Sequence, residues 1–409
     1  MITLSHPTGN QNVRQVLQAL NEKAWLDSLH TTLGWHQNAW CLKIPWGSSH
    51  LKKRAYALPQ DKVYSYPYKE IMRLLLRYCY NHPWTTHESG RFCVDAVYRD
   101  LDQRFSNYIH GKKGQLKGVY AYEDGALESF QTAQAYGITT IYELPIAYGR
   151  FAQNMLQEEA QRLPAWEITL VGNNDSERKL KRKTAELEHA DIIICPSHFV
   201  KQSIPAHIAE KKSIHIIPYG CHTLKNQPQK KEEGSLKVLF AGSMSQRKGL
   251  ADVFSAFRQL HTRQAELHIL GAIIAPMAFY RAQYPDFHYH PPRPHTDVLR
   301  LMRNCDVLLL PSLVEGRALV QLEALSCGLP LIITPNTGGD DLIEEGITGF
   351  QVPIRSPEAI AAKINWFIQH RAELAHMRTA CIDKARTISW KNFRQQLIRT
   401  LQPHIASTC

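Results

Sequence analysis

Residues 306–331 read DVLLLPSLVEGRALVQLEALSCGLPL, and this stretch decides the architecture. After one Asp, 307–310 is an unbroken apolar run of strand length, and Pro311-Ser312 ends it. Glu315-Gly316 then opens a helical stretch over 318–326, and a second apolar run begins at 329. A strand buried on both faces reads as continuous hydrophobic sequence, and a helix between two such strands is the crossover that parallel pairing requires. The same alternation extends outward through the chain. Strands are predicted at 118–122, 139–142, 191–195, 214–218, 236–241, 266–270, 306–310 and 329–334. Helices are predicted at 12–20, 68–80, 126–136, 176–189, 250–260, 297–305, 318–326 and 358–371. The fold class is therefore α/β, with parallel sheets sheathed on both faces.

A chain of 409 residues exceeds one ordinary core and suits two domains. One segment, 222–235 (HTLKNQPQKKEEGS), is polar, charged and without hydrophobic period. The predicted division is a first domain over 1–220, a linker over 221–235, a second domain over 236–388 and a separate segment over 389–409. With 44% hydrophobic and 21% charged residues the chain is not a disordered one. No apolar window is long enough to span a membrane, and the opening residues lack a basic-then-apolar leader, so the expected compartment is the cytoplasm. The nine Cys are scattered without a C-x-x-C and read as reduced, mostly buried thiols. The twenty His show no ligand spacing on a helix, and no metal site is expected. The net charge of +11 is spread over both halves, which favours general affinity for anions over a nucleic-acid-binding arm.

Several residues are candidates for chemistry. In 237–250 (KVLFAGSMSQRKGL), Gly242 lets the chain turn after a strand, and Arg247 and Lys248 stand at the mouth of the next helix. A guanidinium fork, a point charge and free N–H groups make a seat for a diphosphate; a loop with two solvated cations is the plainer reading. Glu315 and Glu323 are eight residues apart. The first is expected at the helix mouth on the carboxyl edge of the sheet and the second two turns along the same face, both able to accept from sugar hydroxyls. A helix cap and a surface charge are the alternative. In the first half, 5–10 (SHPTGN) forms a turn in which Gly9 and Asn10 either approach a ligand or simply turn the chain. Glu123 and Glu143 follow predicted strands and are expected at the cleft edge. Residues 52–80 interleave the cations Lys52, Lys53, Arg54, Lys62, Lys69, Arg73 and Arg77 with Tyr56, Tyr64, Tyr66 and Tyr68. Their apolar helical stripe, Ile71, Leu74, Leu75 and Tyr78, suits a core helix or an anionic membrane surface better than nucleic acid.

Taken in order, Gly242…Arg247-Lys248-Gly249, the PSxxEGxxLVxLEAxxCGLP block, Gly338-Gly339 and Gly349-Phe350 closely resemble the C-terminal domain of the retaining glycosyltransferases of family 4. The resemblance is dense over about 236–355 and looser over 177–220 and 388–393. It implies the GT-B fold, two Rossmann-like domains facing across a cleft, with a C-terminal helix crossing back to the first. It further implies that Lys248, with Arg247, holds the diphosphate of a nucleotide sugar, UDP- or GDP-linked, and that Glu315 contacts the transferred sugar. Backbone N–H groups of Gly316, Arg317, Ala318 and Leu319 would face sugar and phosphate, and Glu323 would take the ribose. Loops at Gly271 and around His290–Arg293 would surround the base. The chain departs from the family where Ser243 follows the glycine in place of Arg, and where Arg317-Ala318 replaces an aromatic-Gly pair. It also lacks a His at the Glu143 strand end. The implied activity is metal- and cofactor-independent sugar transfer, with retention, to a bacterial surface glycan or its lipid-linked precursor at the inner face of the membrane. The alternatives are a silent sugar-nucleotide-binding partner subunit, an epimerase or a phosphorylase of the same fold.

Overall fold

The computed structural model describes residues 1–36, 39, 53–76, 83–170, 174–221, 234–260 and 262–406. Two parallel sheets organise it. The first contains β1 (Ile2–Ser5), β2 (Leu26–Thr31), β3 (Val63–Ser65), β4 (Gly118–Tyr122), β5 (Thr139–Glu143), β6 (Ile192–Cys195) and β7 (Ser213–Ile216), in the order β3-β2-β1-β4-β5-β6-β7. The second contains β8 (Leu236–Ala241), β9 (Ala265–Leu270), β10 (Phe287–His290), β11 (Val307–Leu310), β12 (Leu331–Ile333) and β13 (Gly349–Gln351), in the order β10-β9-β8-β11-β12-β13. Every pairing is parallel. Each order reverses once, between β1 and β4 and between β8 and β11. Such switch points leave a crevice outside the carboxyl ends of the strands, where α/β proteins bind ligands.

The cores follow from spacing. Helix α1 (Gln11–Glu22), capped by Asn10 accepting from the Val13 N–H, buries Val13, Val16, Leu17 and Leu20 against Ile2 and Leu4 of β1. Beside it lies α2 (Trp390–Ala406), whose Phe393, Leu397, Leu401 and Ile405 belong to the same cluster. The last helix therefore completes the core of the first domain. At ~2 kcal/mol for each such burial, those four side chains contribute an amount comparable with the whole stability of an ordinary domain. In the second domain, Val253, Phe254 and Phe257 cover one face of the sheet with Ile360, Ile364 and Phe367.

The first sheet ends at Ile216 and the second begins at Leu236; residues 222–233 lie outside the described residues. Strands β1, β2, β3, β10 and β13 and helices including Val94–Gly111, Gly149–Arg162 and Leu374–Thr387 add to the predicted set. Of the two readings of the stripe in the helix Tyr68–Leu76, the core one does not hold: Ile71 is 42% exposed and Leu75 59%. Glu70 is the buried residue of that helix, held by Arg54 and Arg73. Lys52, Arg77 and Tyr78 lie outside the described residues. The six described Cys, Cys93, Cys195, Cys221, Cys305, Cys327 and Cys381, are buried. No helix among the described residues is long and apolar enough to cross a membrane.

Candidate active site

Strand β8 ends at the switch point of the second sheet, and Gly242 and Ser243 carry the chain into a short turn, Gln246–Lys248. Gly249 ends this turn at φ +78°, where an added Cβ would lie 2.1 Å from the Pro311 carbonyl oxygen, so only glycine fits. The turn aims both cations at one carboxylate. Arg247 Nη1 donates to Glu315 Oε1 at 2.6 Å and to the Val314 carbonyl at 2.9 Å, and Lys248 Nζ pairs with the same Glu315 oxygen. Lys248 is buried, which holds its ammonium below the ordinary lysine range against the opposing pull of Glu315. Gly271, just after β9, donates its N–H to the His290 carbonyl and so ties the segment after β9 to the end of β10.

Glu315 itself stands in an irregular segment; the helix begins later, at Leu319–Ser326, than the predicted opening at Glu315-Gly316. The segment is pinned by the other domain. A Cβ on Gly316 would lie 1.7 Å from the Pro145 carbonyl oxygen, and Ser197 donates to the Gly316 carbonyl at 2.6 Å. Leu313 and Val314 pack with Ala147, Leu156 and Phe199 of the first domain. Glu323 does not share a partner with Glu315; it accepts from His295, on the loop side of His290–Arg293, at 3.0 Å. Arg317, expected to offer its backbone N–H, has a structural side chain. Its guanidinium is buried and forks onto Asp341 at 2.6 and 3.0 Å and onto the Gly338 carbonyl, so it braces two loops instead of facing a ligand. The Ala318 N–H is likewise directed to the Thr337 carbonyl. Arg293 is half-exposed and donates to the nearby Pro291 carbonyl.

Across the cleft, a cavity of about 440 Å³ lies between the domains, with Glu123, Asp175 and Lys183 on one wall and Ser243, Arg247 and Val314 on the other. Lys183 joins Glu123 at 3.5 Å and Asp175 at 3.0 Å. Burial pushes the Glu123 carboxyl up while Lys183 pulls it down. Glu143 is not at the cleft edge. It is fully buried and accepts from Tyr120 at 2.6 Å, Tyr219 at 2.8 Å and Asn12 at 2.8 Å, with its carboxyl pushed up by that burial. Gly9 and Asn10 also serve the fold. The Gly9 N–H donates to His6 Nδ1 at 2.7 Å, and Asn10 caps α1. Burial holds His6 neutral, with its pKa lowered to about 3.

Sequence reasoning missed the support beneath the cations. Glu159, in the helix Gly149–Arg162 and wholly buried, accepts from Gln246 at 2.6 Å, from Arg162 and from Arg355. Arg162 continues to Asp252 at 2.8 Å, and the Gln246 side-chain oxygen accepts the Ala251 N–H. The residue before Arg247 is thus fixed by the opposite domain. Lys183 and His295 were missed too, since each meets its partner only through the tertiary fold.

Residues 223–387 match the family model described as glycosyl transferases group 1. The putative colanic acid biosynthesis glycosyltransferase WcaL of Salmonella typhimurium is 28% identical over 178 residues, which cover 40% of this chain and 43% of that protein. The chain spans less than half the length of the curated relatives it matches. Among solved structures, sucrose-phosphate synthase from Thermosynechococcus elongatus has a TM-score of 0.68 at 16% identity, covering 100% of this chain and 99% of that one. HepE of Anabaena, solved with UDP-glucose, has a TM-score of 0.59 at 15% identity, covering 98% of this chain and 99% of that one. At these identities the likeness is one of fold, and the fold is GT-B: two Rossmann-like domains across a cleft.

Proposed function

We propose that this chain is a retaining glycosyltransferase of the family 4 type, moving a hexose from a nucleoside-diphosphate sugar to a hydroxyl of a bacterial surface-glycan intermediate. The observation that carries the reading is the pairing of Arg247 and Lys248 on one oxygen of Glu315, at the switch point of the second sheet and beside the interdomain cavity. An incoming diphosphate draws both cations to itself. The carboxylate released from them then accepts hydrogen bonds from the sugar hydroxyls. As the bond to the sugar breaks, negative charge grows on the leaving diphosphate, and two cations already fixed in a partly dry site stabilise it there without reorganising. The acceptor hydroxyl approaches from the cavity on the same face, and a diphosphate oxygen takes its proton, which yields retention without a covalent intermediate. Charge neutralisation by Arg247 and Lys248 leaves no step that calls for a metal.

The likeness to HepE supports a UDP-linked donor, with GDP as the other candidate base, and the likeness to WcaL supports a surface-polysaccharide acceptor. A lipid-linked acceptor also suits the first domain. Tyr68, Ile71, Leu75 and Trp84 are exposed, and Lys69 and Arg73 share the helix of Tyr68, Ile71 and Leu75, a surface fit for the anionic inner leaflet.

A thermal-shift series with UDP-, GDP- and dTDP-sugars, followed by product analysis, tests the reading. One nucleotide family is expected to raise the melting temperature by binding only the native state, with sugar released or transferred. No shift with any nucleotide sugar counts against the donor site. A shift without turnover under any acceptor points to the silent partner subunit, and an altered sugar still on its nucleotide to an epimerase.

A further inference from the structure

Strands β9 and β10 form one edge of the second sheet, in register His268 to His288 and Leu270 to His290. Alternation along the pleat sets Glu266 and His268 on the same face as His288 and His290, while Leu267, Ile269 and Phe287 take the buried opposite face. Three imidazoles and a carboxylate therefore share a small patch. The His268 ring stacks on His288 at 4.7 Å and on His290 at 5.3 Å. Glu266 Oε2 lies 3.4 Å from His268 Nε2 and 3.9 Å from His288 Nε2, and the three ligand atoms all fall within 4.8 Å of one another.

A tetrahedral ion with bonds of about 2.0–2.1 Å holds its ligands about 3.3–3.4 Å apart. One pair already meets that separation, and small side-chain rotations bring in the third atom. The surroundings fit as well. A metal on His268 Nε2 requires the ring proton on Nδ1, and His290 Nε2 lies 3.0 Å from Nδ1 to accept it, the outer partner that metal-bound histidines ordinarily have. The other oxygen of Glu266 accepts from the Ser235 hydroxyl. Among the described residues no Lys or Arg is ion-paired with Glu266. A second cluster, His87, Glu88 and Asp175, is different, because Lys179 and Lys183 each reach Asp175 at 3.0 Å and oppose a cation.

We infer that Glu266, His268 and His288 bind one divalent transition-metal ion of the Zn²⁺ class, with His290 as a positioning residue and a fourth position open to water. The two ligands on β9 lie short of the strand's carboxyl end at Leu270, set back from the cleft. The ion's work is therefore mechanical: it clamps edge strand β10 to β9. This inference does not rest on the proposed transfer reaction. The sequence hid it because the ligands are a Glu-x-His and a His on two strands, a spacing that no helix-based motif describes.

The full chain, stripped with a chelator and desalted, is titrated with Zn²⁺ against a chromophoric competitor, and with Co²⁺ for its visible absorption. One tight equivalent is expected, with a Co²⁺ spectrum of nitrogen–oxygen ligation and a rise in melting temperature on Zn²⁺ addition. His288→Ala and Glu266→Gln are each expected to weaken Zn²⁺ by at least ~10-fold and to abolish the Co²⁺ band, while His376→Ala, on an exposed residue, leaves both unchanged. His290→Ala is expected to weaken binding and shift the band, and His290→Gln to restore it, since its amide oxygen accepts the same proton. His288 is exposed, so its variant is expected to fold, which circular dichroism verifies. Equal Zn²⁺ affinity in wild type and His288→Ala, or no saturable equivalent in wild type, overturns the site.

Discussion

Two cations on one carboxylate oxygen make the roles of Lys248 and Glu315 separable by experiment. On the proposed reading, Lys248 would serve the phosphate whether or not a sugar is attached, whereas Glu315 would serve the sugar and compete for the cations when the site is empty. Lys248→Ala is therefore expected to lower kcat/KM by at least ~10²-fold and to weaken the nucleotide diphosphate alone. Glu315→Ala is expected to lower kcat/KM comparably, yet to hold the nucleotide diphosphate as tightly as wild type or tighter. Steady-state kinetics paired with calorimetric titration of the diphosphate decide it. Loss of affinity in both variants, or wild-type turnover in either, would sink the assignment. Arg317 carries the opposite lesson: it occupies a motif position, but its buried fork onto Asp341 makes it a brace between loops.

Among the elements, the helix Tyr68–Leu76 is turned inside out by the usual reading, with Glu70 inward and Ile71 and Leu75 outward. Its two cations are engaged, Arg73 with Glu70 and Lys69 with Asp100, and Lys62 before it donates to the Leu26 carbonyl. Membrane attachment through this face is accordingly expected to combine both forces, weakening several-fold but persisting when salt screens the charges. Leu75→Ser should reduce vesicle sedimentation at high salt more than at low salt. Equal binding to neutral and anionic vesicles would reject the surface. The long apolar strands β8 and β11 and the helix Leu250–Leu260 were legible because hydrophobic period alone specifies them. Strand β10 was not, since Phe287-His-Tyr-His carries its apolar residues on one face and imidazoles on the other. The helix Gly149–Arg162 hid for a related reason: it buries Glu159, a residue that pattern reading assigns to solvent. Among site residues, the Arg247, Lys248 and Glu315 constellation was readable from motif order. Glu159, Gln246 and Lys183 were not, because their partners come from the opposite domain or from distant loops.

At the scale of the whole molecule, Glu159 joins the two domains, taking Gln246 and Arg355 from the second while keeping Arg162 from its own helix. Removing one partner of such a buried set leaves charges stranded, at a cost of about 3–5 kcal/mol. Glu159→Ala is expected to lower the melting temperature by several degrees and also to weaken nucleotide binding, because Gln246 directly precedes Arg247. A variant that melts earlier but binds nucleotide as wild type would show that the junction holds the domains without holding the cations. The helix Trp390–Ala406 adds a constraint of another kind. A ribosome that has released the first 220 residues has made a sheet one of whose faces still lacks its final cover, since Phe393, Leu397 and Leu401 come from a segment not yet translated. Folding of the first domain thus outlasts synthesis of the second, so the half made first is the half finished last. The nascent chain must shield Ile2, Leu4 and Val13 from other chains throughout that interval.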